Sequence, residues 1–222
     1  MHKALVGLAA LFAVSTVVGF AQPKAAIDIT NAQIKEVQKE GAQRTPPAVD
    51  QQLRVVDMGK YQLAVGIIHR GATGQAAAGR GAGAGRGRGG AGRGTPANVQ
   101  RCGEQASGAA TGGVGGIAHD DTTETYIIVS GGGTLVTGGH IVNGVRSGPE
   151  SEVTKILNGP SCSGQIAGDD VVKRDVTVGD VVIIPEGVPH GWTNIADHVD
   201  YLSVRPDMNK VLEHGYVNPG IK

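Results

Sequence analysis

The stretch GDVVIIPEGVPHGWTN, residues 179–194, decides the fold. It opens on a Gly179-Asp180 turn and runs through Val181, Val182, Ile183 and Ile184, all β-branched, which predicts a strand buried on both faces. Pro185 stops that strand. A second turn, Pro185-Glu186-Gly187, fixes a hairpin rather than a helix. Beyond it, His190, Trp192 and Asn194 alternate with Gly191 and Thr193 and therefore share a face. One histidine is held on a stiff strand, beside an indole and an amide.

Working outward, the next informative stretch is IAHDDTTETYIIVSGGGTLVTGG, residues 117–139. Thr123 to Val129 reads as a strand, Gly131-Gly132-Gly133 as a turn, and Thr134 to Thr137 as a returning strand. His140-Ile141-Val142 is an apolar run closed by an Asn143-Gly144 hairpin signal. Glu152 to Leu157 follows as a strand. Asn158 to Asp170 reads as a Gly-rich loop carrying Cys162, and Val171 to Val178 leads into the opening stretch. Upstream, Leu53 to Asp57 and Tyr61 to Arg70 are strands joined by Met58-Gly59-Lys60. Leu63, Val65, Ile67 and His69 share one face of the second, and His69 reads as a strand-end residue in solvent. Downstream, Asp200 to Arg205 is a strand with Tyr201, Ser203 and Arg205 on one face. A last short helix is expected over Met208 to His214.

The spacing Gly-x5-Pro-x-Gly-x2-His-x3-Asn is complete at Gly179, Pro185, Gly187, His190 and Asn194, and it resembles the second motif of the cupin superfamily. The first motif of that family, Gly-x5-His-x-His-x3,4-Glu-x6-Gly, is met at His119, Glu124 and Gly131. It fails at Ile117, where the other histidine is expected, and at Thr111, where the leading glycine is. The resemblance covers about residues 53–70 and 117–206. It implies an all-β antiparallel double-sheet jelly-roll barrel, consistent with the short strands and hairpin turns, with short flanking helices. It further implies that His119, Glu124 and His190 bind one divalent transition metal, Fe, Mn or Zn, three ligands leaving positions open. Tyr126, two residues from Glu124, and Trp192, beside His190, are expected to line a substrate pocket or to pack in the core. The reaction class stays open among dioxygenase-, decarboxylase- and isomerase-like chemistry. A binding barrel without turnover, and an interaction protein acting through the insert described next, are the alternatives.

Composition frames these readings. The chain has 222 residues, 40% of them hydrophobic, enough for one core with tails. Glycine, at 37 residues, is far above its usual share. Much of it falls in 71–116, nearly pure Gly, Ala and Arg around Arg80, Arg86, Arg88 and Arg93, with nothing to bury. This reads as a disordered insert in a barrel spanning 48–210. It looks like Arg-Gly segments that bind RNA, yet no Phe or Tyr is interleaved for stacking. With zero formal net charge, no membrane or nucleic-acid partner is expected. The expected partners are a small-molecule ligand and, as a homodimer, a second copy.

At the N-terminus, Met1-His2-Lys3, the apolar run Ala4 to Phe20 and Gly19-Phe20-Ala21 form a signal-peptide pattern over 1–21, whose alternative is an uncleaved anchor. It predicts a periplasmic or extracellular protein beginning at Gln22. In that oxidising setting Cys102 and Cys162 either form the single bridge open to them or stay as free thiols. Residues 22–47 are then a helix, with Thr30 and Gln33 at capping-box spacing, and a Pro-containing linker. Residues 211–222 form a tail.

Overall fold

The structure, a computed structural model, describes residues 23–73, 99–107 and 113–222. The predicted leader over 1–21 lies outside these, as do 74–98 and 108–112 of the predicted insert. The described residues contain one α-helix, α1 (Asn31–Ala42), and eleven strands. These are β1 (Asp50–Asp57), β2 (Gln62–Gly71), β3 (Arg101–Cys102), β4 (Val114–His119), β5 (Glu124–Thr137), β6 (His140–Arg146), β7 (Ser161–Ala167), β8 (Val172–Thr177), β9 (Val181–Ile184), β10 (His190–Thr193) and β11 (His198–Asp207). Among the described residues no helix is long and apolar enough to cross a membrane.

The pairings between these strands are all antiparallel, in the order β1-β2-β11-β5-β10-β4-β7-β6-β3, with β8 and β9 on the outer edge of β5. β5 is the strand on which the fold turns. Its first half pairs with β11 and β9, and its second half with β10 and β8. The sheet thereby folds over itself into an open jelly roll. Gly131 is where the crossing happens: its φ is +65°, and a Cβ there would lie 2.0 Å from the His198 carbonyl oxygen. Only glycine fits such a backbone approach. The predicted turn at Gly131–Gly133 is therefore a bend inside one 14-residue strand.

The main core lies between the two halves, where Ile68, Tyr126, Ile128, Leu135, Val176, Ile184, Trp192, Ile195, Val199 and Tyr201 are buried together. On the outer face of β1 and β2, Val37 of α1 packs on Leu53 and Ile67. The helix starts as its capping box predicts: Gln33 N donates to Thr30 Oγ1 and Thr30 N to Gln33 Oε1.

Several local expectations are corrected. Val181 to Ile184 is an edge strand, not one buried on both faces, because β9 pairs only with β5; Val181 and Ile183 are 59% and 68% exposed. Asn143-Gly144 is a bulge within β6 opposite β7, and the turn between β5 and β6 is Gly138-Gly139, both at positive φ. Ser161 to Ala167 is a strand rather than loop, since it fills the gap between β4 and β6 and buries Cys162, Gly164 and Ile166. Glu152 to Leu157 is a single π-helical turn, not a strand: the Ser151 hydroxyl accepts from Thr154 N, and Asn158 N donates to Val153 O. The C-terminal helix over Met208 to His214 is absent. The Asp207 carboxylate accepts from Val211 N and Leu212 N, and Lys210 takes φ +52°, so the chain turns instead.

The predicted insert is also shorter than 71–116, for β3 and β4 both begin inside that range. β3 is tied to β7 by a Cys102–Cys162 disulfide. It closes a loop with a sequence separation of 60. Losing it is expected to cost about 4 kcal/mol by loop entropy. Reduced protein, or a Cys102→Ser, Cys162→Ser double variant, should melt well below the oxidised form; unchanged melting would show that the bridge is not formed in solution.

Candidate metal centre

Three strand ends converge on one point. His119 ends β4, Glu124 begins β5, and His190 begins β10, which lies between them and pairs with both. That strand must approach β4 closely: a Cβ on Gly191 would lie 2.3 Å from Gly115 O, so the glycine following His190 is a packing requirement. The Pro185–Gly187 turn is tied to the same point, because Gly187 N donates to His119 O at 2.7 Å. His119, Glu124 and His190 are each no more than 2% exposed, and their candidate ligand atoms all lie within 4.8 Å of one another.

The hydrogen bonds place a proton on Nδ1 of both rings. Ser161 Oγ donates to Gly159 O at 2.8 Å, so towards His119 it can only accept, and His119 Nδ1 carries the proton it donates at 2.8 Å. His190 Nδ1 lies 3.0 Å from Val188 O, a carbonyl that only accepts, so this nitrogen is likewise protonated. With Nδ1 as the protonated nitrogen, each ring, when neutral, presents a bare Nε2 inward. The bare nitrogens face Glu124 Oε2 at 3.2 Å and 3.0 Å. The second contact is out of line for a hydrogen bond, which leaves His190 Nε2 buried without a partner. Two imidazole lone pairs and a carboxylate oxygen aimed at one another repel unless a cation lies between them. The group can therefore hold a metal ion, with Ser161 and Val188 orienting the rings.

Neither motif points directly to the residues that hold Glu124. Its Oε1 accepts from Ser203 Oγ at 2.8 Å and from Arg205 Nε at 2.7 Å. Its Oε2 accepts from Tyr126 Oη at 2.8 Å. Arg205 is 1% exposed and spends its other donors on Asp50 Oδ2, Gln52 Oε1 and Leu157 O. Only Oε2 of Glu124 thus remains directed at the histidines. Burial alone would raise the Glu124 carboxyl, but His119 and Arg205 outweigh it and hold the group well below its usual range. Burial lowers the His119 imidazolium against the pull of Glu124, favouring the neutral ligand form.

These directions set an acid limit on the cation-free protein. His119 has a folded pKa below its ordinary 6.5, so the unfolded chain takes up a proton first as pH falls. Glu124 is depressed in the same sense from 4.5. Both contributions are present at neutral pH and lost on acidification. The melting temperature in chelator should fall from pH 6.5 downward, and more steeply below 4.5. A flat profile through that range would contradict the assigned tautomers.

Tyr126 and Trp192 sit beside the centre in a single aromatic stack. Tyr126 meets His190 edge-on, with ring centroids 5.9 Å apart, and packs on Tyr201 at 4.3 Å. Trp192 stacks on Tyr201 at 5.3 Å, its Nε1 buried and unpartnered. Burial raises the Tyr126 hydroxyl well above its usual range, so it stays a donor to Glu124. The barrel has a groove of about 430 Å³ and another of about 440 Å³. The first is lined by Pro23 to Ile29 with Leu63 and Val65, the second by Gly132 to Thr134 with Asp175 and Asn194, and neither reaches the three ligand candidates. His69 is exposed, as its strand-end position predicts, and pairs with Asp200 at 2.6 Å.

No family model matches the chain, and no curated protein sequence matches it. Among solved structures it is similar to a Bacillus halodurans protein at 12% identity, covering 89% of this chain and 92% of that one with a TM-score of 0.38. It is similar to an oxalate oxidase in complex with glycolate at 12% identity, covering 75% of this chain but only 54% of that one, TM-score 0.33. CapF bound to 3-isopropenyl-tropolone matches at 14% identity over 70% of this chain and 30% of that one, TM-score 0.29. These likenesses are too distant to transfer chemistry, and the functional reading rests on this chain's own residues.

Proposed function

We propose that His119 Nε2, His190 Nε2 and Glu124 Oε2 bind one divalent transition metal, Fe, Mn or Zn, in an exported protein that acts on a small organic molecule. The observation that carries this reading is the pair of bare, inward-facing imidazole nitrogens, each with its proton held on the other side of the ring. Imidazole and carboxylate donors suit these metals, and three protein ligands leave room for further ones. A metal held there would polarise an oxygen ligand or lower the pKa of a bound water. The chain's own residues do the rest. Arg205 and Ser203 hold Glu124 Oε1, Tyr126 holds a proton against Oε2, and the aromatic stack keeps water away from the ligands. The reaction, among dioxygenase-, decarboxylase- or isomerase-like types, is to be found by assaying metal-loaded protein on a panel of small organic acids, phenols and sugars.

One observation favours a second reading, a barrel that binds metal or a small molecule without turnover. The three candidate ligands are almost wholly buried, and neither described groove opens onto them. Turnover on the panel separates the two, since a binder retains the metal yet converts nothing. The disulfide supports the inference of export to the periplasm or beyond. Mass spectrometry of the exported form should find a start at or near Gln22, and a retained Met1 would refute cleavage. The Arg-Gly reading falls on residues outside those described and gains no support.

A further inference from the structure

On the face of the sheet turned away from the main core, β2, β11 and β5 bring His69, Asp200, His198 and Ser130 together. Val199 and Tyr201 of β11 are fully buried, so His198 and Asp200, which alternate with them, point to the other face. Asp200 stands opposite His69 on one side and Ser130 on the other. Ser130 reaches that face through a bulge. Tyr201 pairs with Ile128 and Asp200 with Ser130, so Val129 is an extra residue in β5. Without it, simple alternation would put Ser130 on the core side with Ile128. Bulges re-aim side chains in this way. The residue after Ser130 makes room for the ring, since a Cβ on Gly131 would lie 3.2 Å from His198 Cδ2.

The contacts are those of a base on a nucleophile. Ser130 Oγ lies 2.8 Å from His198 Nε2, and His198 Nδ1 lies 2.6 Å from Asp197 Oδ2. A carboxylate oxygen accepts, so Nδ1 carries a proton, and the ring, when neutral, offers Nε2 to the Ser130 hydroxyl. His69 stacks on His198 with ring centroids 6.0 Å apart, and its Nδ1 bonds Asp200 at 2.6 Å, which steadies the ring. Asp197 is 91% exposed and acts only by positioning His198. Ser130 and His198 are half-buried, so solvent and a small molecule can reach both. The groove of about 440 Å³ is lined by Gly132 and Ala196, each two residues along the chain from Ser130 and His198, and has room for the rest of a small substrate. A hydroxyl bonded to an imidazole that a third group orients is the arrangement used for nucleophilic acyl transfer, whatever the order of the residues in the chain.

We propose that Ser130, with His198 as its general base, hydrolyses small esters at a second site that works without the metal centre. Ser130 Oγ attacks the ester carbonyl carbon while His198 Nε2 takes the hydroxyl proton. The bond to the alcohol oxygen breaks, and the alcohol leaves with that proton. Water, giving a proton to the same nitrogen, then attacks the acyl-serine; the acid is released and the proton returns to Ser130 Oγ. A fluorophosphonate probe added to the full chain should label Ser130, as read by peptide mass spectrometry. Hydrolysis of nitrophenyl acetate should fall at least about 100-fold in Ser130→Ala and in His198→Ala, the usual worth of a positioned base. Asp197→Asn should lower kcat by less and leave KM unchanged. The wild-type rate should be the same with and without chelator. A Ser130 left unlabelled, or a Ser130→Ala protein as active as wild type, would overturn the proposal. Hydrolysis that chelator abolishes would place the activity at the metal centre instead, and would equally overturn it.

Discussion

Replacing Arg205 by Met is expected to destabilise the protein by about 3–5 kcal/mol, the usual cost of breaking a buried ion pair from one side. Arg205 bridges Glu124 at 2.7 Å and Asp50 at 2.8 Å from a position only 1% exposed. Methionine restores much of the volume and none of the five donors, so two carboxylates lose their counter-charge in a dry site. For a chain of this size the melting temperature should fall by roughly 10 °C or more. Arg205→Lys should recover little, because a single ammonium cannot serve Glu124, Asp50, Gln52 and Leu157 O together. Adding Glu124→Gln and Asp50→Asn to Arg205→Met should recover a substantial part, because the uncompensated charges are then gone. Denaturant unfolding measures all three against the wild type. An Arg205→Met protein as stable as wild type would mean that the buried pair is not formed.

His119→Ala and His190→Ala are each expected to lower metal affinity by more than about 100-fold, beyond what loss of an outer partner costs. Each removes one of three donors, and the void left has no other group to take its place. Ser161→Ala should cost less, about 10- to 100-fold, because it frees the His119 ring to rotate without removing it. His198→Ala is the control. That ring lies at the start of β11, bonded to Ser130 and Asp197, and shares no partner with the centre. Metal titration followed by atomic spectroscopy gives the order. If His198→Ala loses metal as readily as His190→Ala, the assignment of ligands is wrong.

Much of the centre was legible from spacing. Glycine and proline positions in 179–194 place His190 at a strand start, and the distance to Gly131 places Glu124 and His119. The support of Glu124 was half visible. Tyr201, Ser203 and Arg205 read as one face of a strand, and a row of polar and charged residues on an inward face is itself a signal of a buried network. What spacing could not supply was its target, since Arg205 and Glu124 are 81 residues apart. Misread elements failed for tertiary reasons. Val181 to Ile184 has the composition of a buried strand, but only its place at the sheet edge leaves one face open. Gly131–Gly133 has the composition of a turn, yet neighbours on both edges of β5 hold it in a strand. Ser161 to Ala167 looks like loop because its small residues serve close approach between β4 and β6. Tyr126 and Trp192 were expected to line a pocket or to pack in the core, and they pack in a stack with Tyr201.

The central claim is that the two histidines and the glutamate form a cation site. Protein purified without chelator, then supplied in turn with Fe, Mn and Zn and washed, should retain one equivalent of at least one of these metals. It should release that metal on acidification, as the histidines take up protons. Protein that retains none of the three, while still folded and disulfide-bonded, would contradict the account. The bare imidazole nitrogens would then have to share a proton with Glu124 instead.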